Sequence, residues 1–313
     1  MSARTRRSAA LWIAVAAVVL TGCDSPLQVD LPGETVSDEL ADPQVAGLLA
    51  RSVRGDFECT YSRFVWATGQ LSAELLGTTG GLTTIPYVQR DVRPVHTGYG
   101  EGECDGNGIY TPLSTTRWFA DNTFERIEGF SEDEVPNRTK LLGELALWSG
   151  FTRTLFGETF CRITFDRGPE LQPSEVLVQA EERFTTAIEL AGQAGDAETL
   201  NAAYVGRARV RLDLGQEAAA AEDARMVPEG FLFEVTRSSA DDRRENAVYD
   251  ANNVSSTVTI DPQWWDVTWD GSPDPRVRIV DAERLAGDQQ SPLWLQTKYT
   301  GLDASIRLAS HVE

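Results

Sequence analysis

The sequence predicts a mainly α fold: a tetratricopeptide-repeat helical scaffold with long irregular loops and a few short strands. Three observations carry this expectation. Between residues 139 and 227, four stretches place apolar side chains at helical spacing. Within them, Ala180, Phe184 and Ala187 follow the A-x-x-x-F-x-x-A pattern of the second helix of a tetratricopeptide repeat, and Gly206 precedes Ala218 by the distance usual between its small-residue contacts. Outside that region, residues 78–111 are rich in Gly and Thr, and 261–280 hold three tryptophans without a helical period.

The elements follow in order. Arg4, Arg6 and Arg7 precede "AALWIAVAAVVL" (9–20), which at twelve residues falls short of the roughly 20 needed to span a bilayer. A basic segment, a short apolar segment and small residues describe a secretory signal, residues 1–22. Leu20-Thr21-Gly22-Cys23 resembles the lipobox of bacterial lipoproteins, which implies cleavage before Cys23 and a lipid on its thiol. Residues 23–41, with Pro26 and Pro32, read as a flexible leader, and the domain proper as 42–313.

Asp42 and Pro43 have the chemistry of a helix start, and helical spacing continues over 44–77, as one helix or two with a break near Gly55. "HTGYGEGECDGNG" (96–108) is a long glycine-laden loop, a kind that is commonly functional. Residues 113–130 resume a helix. The four-helix region spans 139–158, 174–195 with Ser174 as N-cap, 197–215 and 216–227. Leu141, Leu142, Leu145, Trp148 and Phe156 line the first apolar face, and Val176, Ala180, Phe184 and Ala187 the second. Beyond Pro228, "STVTI" (256–260) alternates like a strand, and "DASIRLASHVE" (303–313) reads as the opening of a helix.

With a formal charge of −20, made more negative by loss of the three signal arginines, the chain lacks the clustered cations that nucleic acid or an anionic membrane face requires. Besides Cys23 it has Cys59, Cys104 and Cys161. An exported chain with three such cysteines is expected to form one disulfide, with three pairings open and Cys59–Cys104 preferred.

Taken in order, the lipobox, "GQLSAELLG" (69–77), "LGELALWSGFTRTLFGE" (142–158), "AEERFTTAIELA" (180–191), "NAAYVGRARVRLDLG" (201–215), "DPRVRI" (274–279), "TKY" (297–299) and "SIRLA" (305–309) resemble the SusD/RagB family of nutrient-binding lipoproteins. The resemblance implies a SusD-like α-rich domain that is anchored at the outer membrane and captures a glycan or oligopeptide. It also implies a partner, a SusC-type TonB-dependent barrel over which the lipoprotein sits as a lid. Family members usually extend well past the last motif, so the domain is expected to be incomplete at its C-terminus.

Sugar binding uses aromatic faces and polar side chains, which makes Trp264, Trp265, Trp269, Tyr87, Tyr99 and Tyr110 the candidate ligand residues, although each ring alone also reads as loop packing. Trp66, Trp118 and Trp148, on helical stretches, read as core. Asp105-Gly106-Asn107-Gly108 has calcium-loop chemistry but lacks the remaining acidic ligands, so a turn is preferred and no cofactor is expected. With only His96 and His311, a zinc site lacks ligands. The sequence contains no G-x-S-x-G, H-E-x-x-H or Walker loop, and the chain reads as non-enzymatic. The alternative function is a helical-repeat envelope lipoprotein acting as a protein–protein adaptor or assembly factor.

Overall fold

The computed structural model describes residues 39–313. The signal, Cys23 and nearly all of the leader lie outside the described residues. Glu39–Ala41, a 3-10 turn, belongs to the unit Met1–Ala41, and Asp42–Glu313 form the second unit. The fold is mainly helical, and none of its described helices is long and apolar enough to cross a membrane.

Asp42 accepts a hydrogen bond from the Gln44 N–H at 2.9 Å, and Pro43 opens a 3-10 turn that leads into α1 (Ala46–Leu71). Helix α1 passes unbroken through Gly55. The short α2 (Ile85–Val88) lies in the glycine- and threonine-rich segment. Helices α3 (Tyr110–Glu128) and α4 (Arg138–Thr159) pack on α1 and on each other. Then α5 (Pro173–Ala194) packs on α4, α6 (Ala197–Asp213) on α5, and α7 (Glu217–Ala224) on α6.

Helix α5 starts earlier than expected, because Gln172 rather than Ser174 is its N-cap. The Gln172 N–H donates to Glu175 at 2.7 Å, and Pro173, which has no N–H to leave unpaired, suits the first position. Gly195 and Gly215 end α5 and α6 with φ of 67° and 72°, a left-handed backbone that glycine adopts without strain.

Phe184 is the hub of this layer. It is fully buried, meets Phe151 edge-on at 5.0 Å, and lies against the backbones of Gly150 and Gly206. The expected pairing of Gly206 with Ala218 is not what packs there, since Ala218 is exposed. Asp223 on α7 instead fastens α7 to α6 by accepting from Arg207 at 2.7 and 2.8 Å and from Arg211 at 2.9 Å.

Trp66 and Trp148 are buried as expected, but Trp118 is not: it is 50% exposed. Leu113, Thr116, Ala120, Thr123, Phe124 and Ile127 form the buried stripe of α3, and position 118 falls on the opposite side of that helical period.

The strands, most of them after α7, form five two-stranded ladders among the described residues. In chain order the strands are β1 (Leu75–Gly77), β2 (Ile163–Thr164), β3 (Glu170–Leu171), β4 (Leu232–Val235), β5 (Val258–Ile260), β6 (Thr268–Trp269), β7 (Ser272–Pro273), β8 (Ile279–Leu285), β9 (Pro292–Gln296) and β10 (Ile306–Ser310). All pairs are antiparallel: β1 with β5, β2 with β3, β4 with β10, β6 with β7 and β8 with β9.

Strand β10 corrects the expectation of a C-terminal helix. Ile306 and Leu308 are buried while Arg307 is exposed, the alternation of a strand as far as the register shift between Arg307 and Ala309, and Ile306 and Arg307 pair with Val235 and Glu234. The residues following "DAS" are too few to display a helical repeat, and the long-range partner β4 decides their conformation.

Asn252 is the polar tie of this half. Fully buried in the π-helical turn Asp250–Val254 that follows α8 (Ala247–Tyr249), it donates to the Val258 and Trp294 carbonyls at 3.0 Å and accepts from the Gln296 N–H at 2.7 Å. Trp148 meets Phe233 of β4 at 5.7 Å, which joins the two halves in one core.

Cys59 on α1 is disulfide-bonded to Cys104 in the glycine-rich loop, and Cys161 is free and exposed. The loop is further held by Asn107, whose N–H donates to Glu101 at 2.8 Å and whose side chain donates to Thr83 at 3.0 Å.

Candidate functional site

A cleft of about 630 Å³ opens among the loops and ladders of the second half, within the range of small-ligand pockets. Its wall comes from segments far apart in sequence: Glu74 before β1, Glu234 on β4, Ile260 and Trp264, the run Arg276–Ile279, the turn Gln296–Tyr299, and Ala304–Arg307.

Each segment is fixed by local chemistry. Asp261 caps the 3-10 turn Pro262–Trp264, its N–H donates to the Glu74 carbonyl, and its carboxylate takes Arg90 at 2.7 Å. The Trp264 indole N–H donates to the Ala73 carbonyl at 2.7 Å, so the ring is tethered and presents only apolar surface to the cleft.

Buried Asp274 accepts from the Arg276 N–H at 2.9 Å and from its guanidinium at 2.6 and 2.9 Å, which holds the Asp274 carboxyl down at about 2. The same guanidinium lies 5.0 Å from the centre of the Trp269 ring, a cation–π arrangement. The Gln296 side chain clamps the next turn by accepting from the Tyr299 N–H at 2.7 Å and donating to the Tyr299 carbonyl at 3.2 Å, which leaves Lys298 outward. Burial, together with Glu74 and Glu234 and against the pull of Arg307, pushes the Tyr299 phenol up to about 12, so it is neutral at physiological pH.

The six aromatic residues expected to bind ligand do not converge. Trp264 lines the cleft. Trp269, 64% exposed on the β6–β7 hairpin, borders it through Arg276. Trp265 stacks on Trp294 at 5.2 Å, with its indole N–H on the Ile260 carbonyl. Tyr87 is 2% exposed, packs edge-on against Trp66 and donates to the Asn107 carbonyl at 2.6 Å, so it is structural. Tyr99 and Tyr110 stack on each other at 5.1 Å, and Tyr110 continues into Phe156 and Phe160.

The cleft's charged residues, Glu74, Glu234, Arg276, Arg278, Lys298 and Arg307, were not singled out from the sequence. All of them except Glu234 lie in the segments "GQLSAELLG", "DPRVRI", "TKY" and "SIRLA", which are more than two hundred residues apart at their extremes and all contribute to this one wall.

A second cavity of about 540 Å³ lies beside the disulfide, lined by Asp56, Glu103, Asp105 and Arg243 among others. It has no aromatic wall, and Arg243 is engaged by Asp56 at 3.1 Å and by the Cys104 sulfur at 3.2 Å. Asp105 sits there on a turn. Among the described residues no group of three or more His, Cys, Asp or Glu is placed to hold a metal ion.

No protein-family model matches the chain, and no curated protein matches it significantly. Function therefore rests on the site.

Proposed function

We propose that this chain is a nutrient-binding lipoprotein of the SusD/RagB kind, on a tetratricopeptide-like helical scaffold, that holds its ligand in the cleft around Trp264 and passes it to a TonB-dependent outer-membrane barrel. The observation that carries this reading is the convergence of four separated motif segments on one cleft of ligand size. Helix hairpins α4 to α7 supply the rigid side, and capture without covalent chemistry needs only the cleft. In this reading residues 1–22 are the export signal, Cys23 carries the lipid, and no metal or cofactor takes part.

The test is affinity purification of the lipidated protein from native outer membranes, followed by mass spectrometry. One stoichiometric TonB-dependent barrel is the expected partner. Recovery of assorted assembly proteins in its place would sink the reading in favour of an adaptor.

A further inference from the structure

We infer that the cleft around Trp264 selects an anionic oligosaccharide, one whose sugar rings carry carboxylate or sulfate groups. This rests on the reading of that cleft as the ligand site and adds the chemistry of the ligand.

The chain as a whole is acidic, with a formal charge of −20, yet this wall collects Arg276, Arg278, Lys298 and Arg307 against two carboxylates, Glu74 and Glu234. Most arginines elsewhere are neutralised at close range: Arg153 by Asp121, Arg207 and Arg211 by Asp223, Arg209 by Glu158. In the cleft only Arg276 has such a partner, in Asp274. Arg278, Lys298 and Arg307 are exposed and make no ion pair among the described residues. Arg307 faces Glu234 across the β4–β10 ladder without closing to ion-pair distance.

Three cations left open on one concave wall are a recognition surface for acidic groups, for which the guanidinium fork is suited. The remote negative charge of the molecule does not cancel this, because at physiological salt charges beyond about 8 Å are screened.

The remaining lining separates a glycan from an acidic peptide. Glu74 and Glu234 are acceptors that need donors from the ligand, and hydroxyl groups supply them along a whole sugar chain. Trp264 offers an apolar ring surface whose own N–H is already engaged by Ala73, which matches the apolar face of a pyranose. An acidic peptide would bring carboxylates toward Glu74 and Glu234 with few side-chain donors to offset them.

The experiment is calorimetric titration of the whole chain with four probes: tetragalacturonate, its methyl ester, a sulfated carrageenan tetrasaccharide and tetraglutamate. At least one anionic oligosaccharide should bind tenfold or more tighter than the methyl ester, and weaken as salt rises from 50 to 300 mM. Arg278→Gln with Lys298→Gln should then lose about tenfold or more, the scale of one or two charge-assisted hydrogen bonds, with the thermal midpoint unchanged.

Binding of the methyl ester as tight as that of both anionic sugars would overturn the charge inference while leaving the cleft as the ligand site. Preference for tetraglutamate, or no binding of either anionic sugar, would overturn it as well. The barrel purification reports separately on the reading beneath it.

Discussion

The ring of Phe184 on α5 rests on the backbone of Gly206 on α6, so close that a Cβ at position 206 would overlap it, while on its other side a Cβ at Gly150 of α4 would come within 2.8 Å. Three helices thus meet around one ring. Alanine at position 206 gains about 1 kcal/mol of helix propensity over glycine, but overpacking of this kind removes about 1–3 kcal/mol. Gly206→Ala should therefore lower stability in urea unfolding, and adding Phe184→Leu should recover part of the loss. A stabilised Gly206→Ala protein would show that the helices separate without penalty.

Asp223 accepts from both Arg207 and Arg211 and is itself buried. Asp223→Ala leaves the partly buried Arg207 guanidinium without its carboxylate, with only Thr185 still accepting from it, while Arg211 keeps Glu181 at 2.7 Å. The expected loss is about 2–4 kcal/mol, somewhat under the value for a fully buried pair because the arginines keep some water. Hydrogen exchange should show α7 loosening first.

Asn252→Leu keeps the branched outline of the side chain and removes its three hydrogen bonds, leaving the Val258 and Trp294 carbonyls and the Gln296 N–H unpaired. A loss of about 2–4 kcal/mol is expected from orphaned buried groups. Chemical denaturation measures it directly, and a loss under about 0.5 kcal/mol would mean the turn re-forms its bonds another way.

Asp121 governs part of the acid limb. Burial pushes its carboxyl up, but Arg153, Ser149 and Arg183 outweigh burial and hold it below the usual carboxylate range. A carboxyl lower in the folded than in the unfolded chain stabilises fully above the unfolded value, about 4, and loses that contribution as pH falls toward the folded one. Asp121→Asn should be less stable than the parent at pH 7, with the difference shrinking as pH drops from 5 to 3. A gap that stays constant over this range would contradict the assignment.

The Cys59–Cys104 disulfide closes a loop of sequence separation 45. Cys59→Ser with Cys104→Ser should reduce stability by about 2–4 kcal/mol through the unfolded chain's regained freedom. Protease should cut the double variant first between residues 78 and 108.

The helical half was legible because its signal is local. Val176, Ala180, Phe184 and Ala187 repeat at the helical period, and the structure buries all of them. Trp118 was misread because an aromatic ring on a helix says nothing about its face until the neighbouring stripe is aligned. The strand Ile306–Ser310 was misread because its partner, Leu232–Val235, lies some seventy residues away, and five residues hold too little pattern to declare a period. The cleft was legible only in part. Trp264 stood out by residue type, whereas Arg278, Lys298 and Arg307 look like ordinary surface cations until the fold brings them to one wall.

Every ladder among the described residues has two strands, so each strand keeps one row of main-chain donors and acceptors that no neighbouring strand takes up. Flat apolar edges of this kind recruit other chains into mixed sheets. Here the strands are short, the two ladders β8–β9 and β4–β10 are broken by register shifts, and Asp281, Glu283 and Arg284 stand exposed along the longest strand. These few charged side chains contribute little to holding the fold, and what they oppose is pairing of that edge with a second copy of the chain.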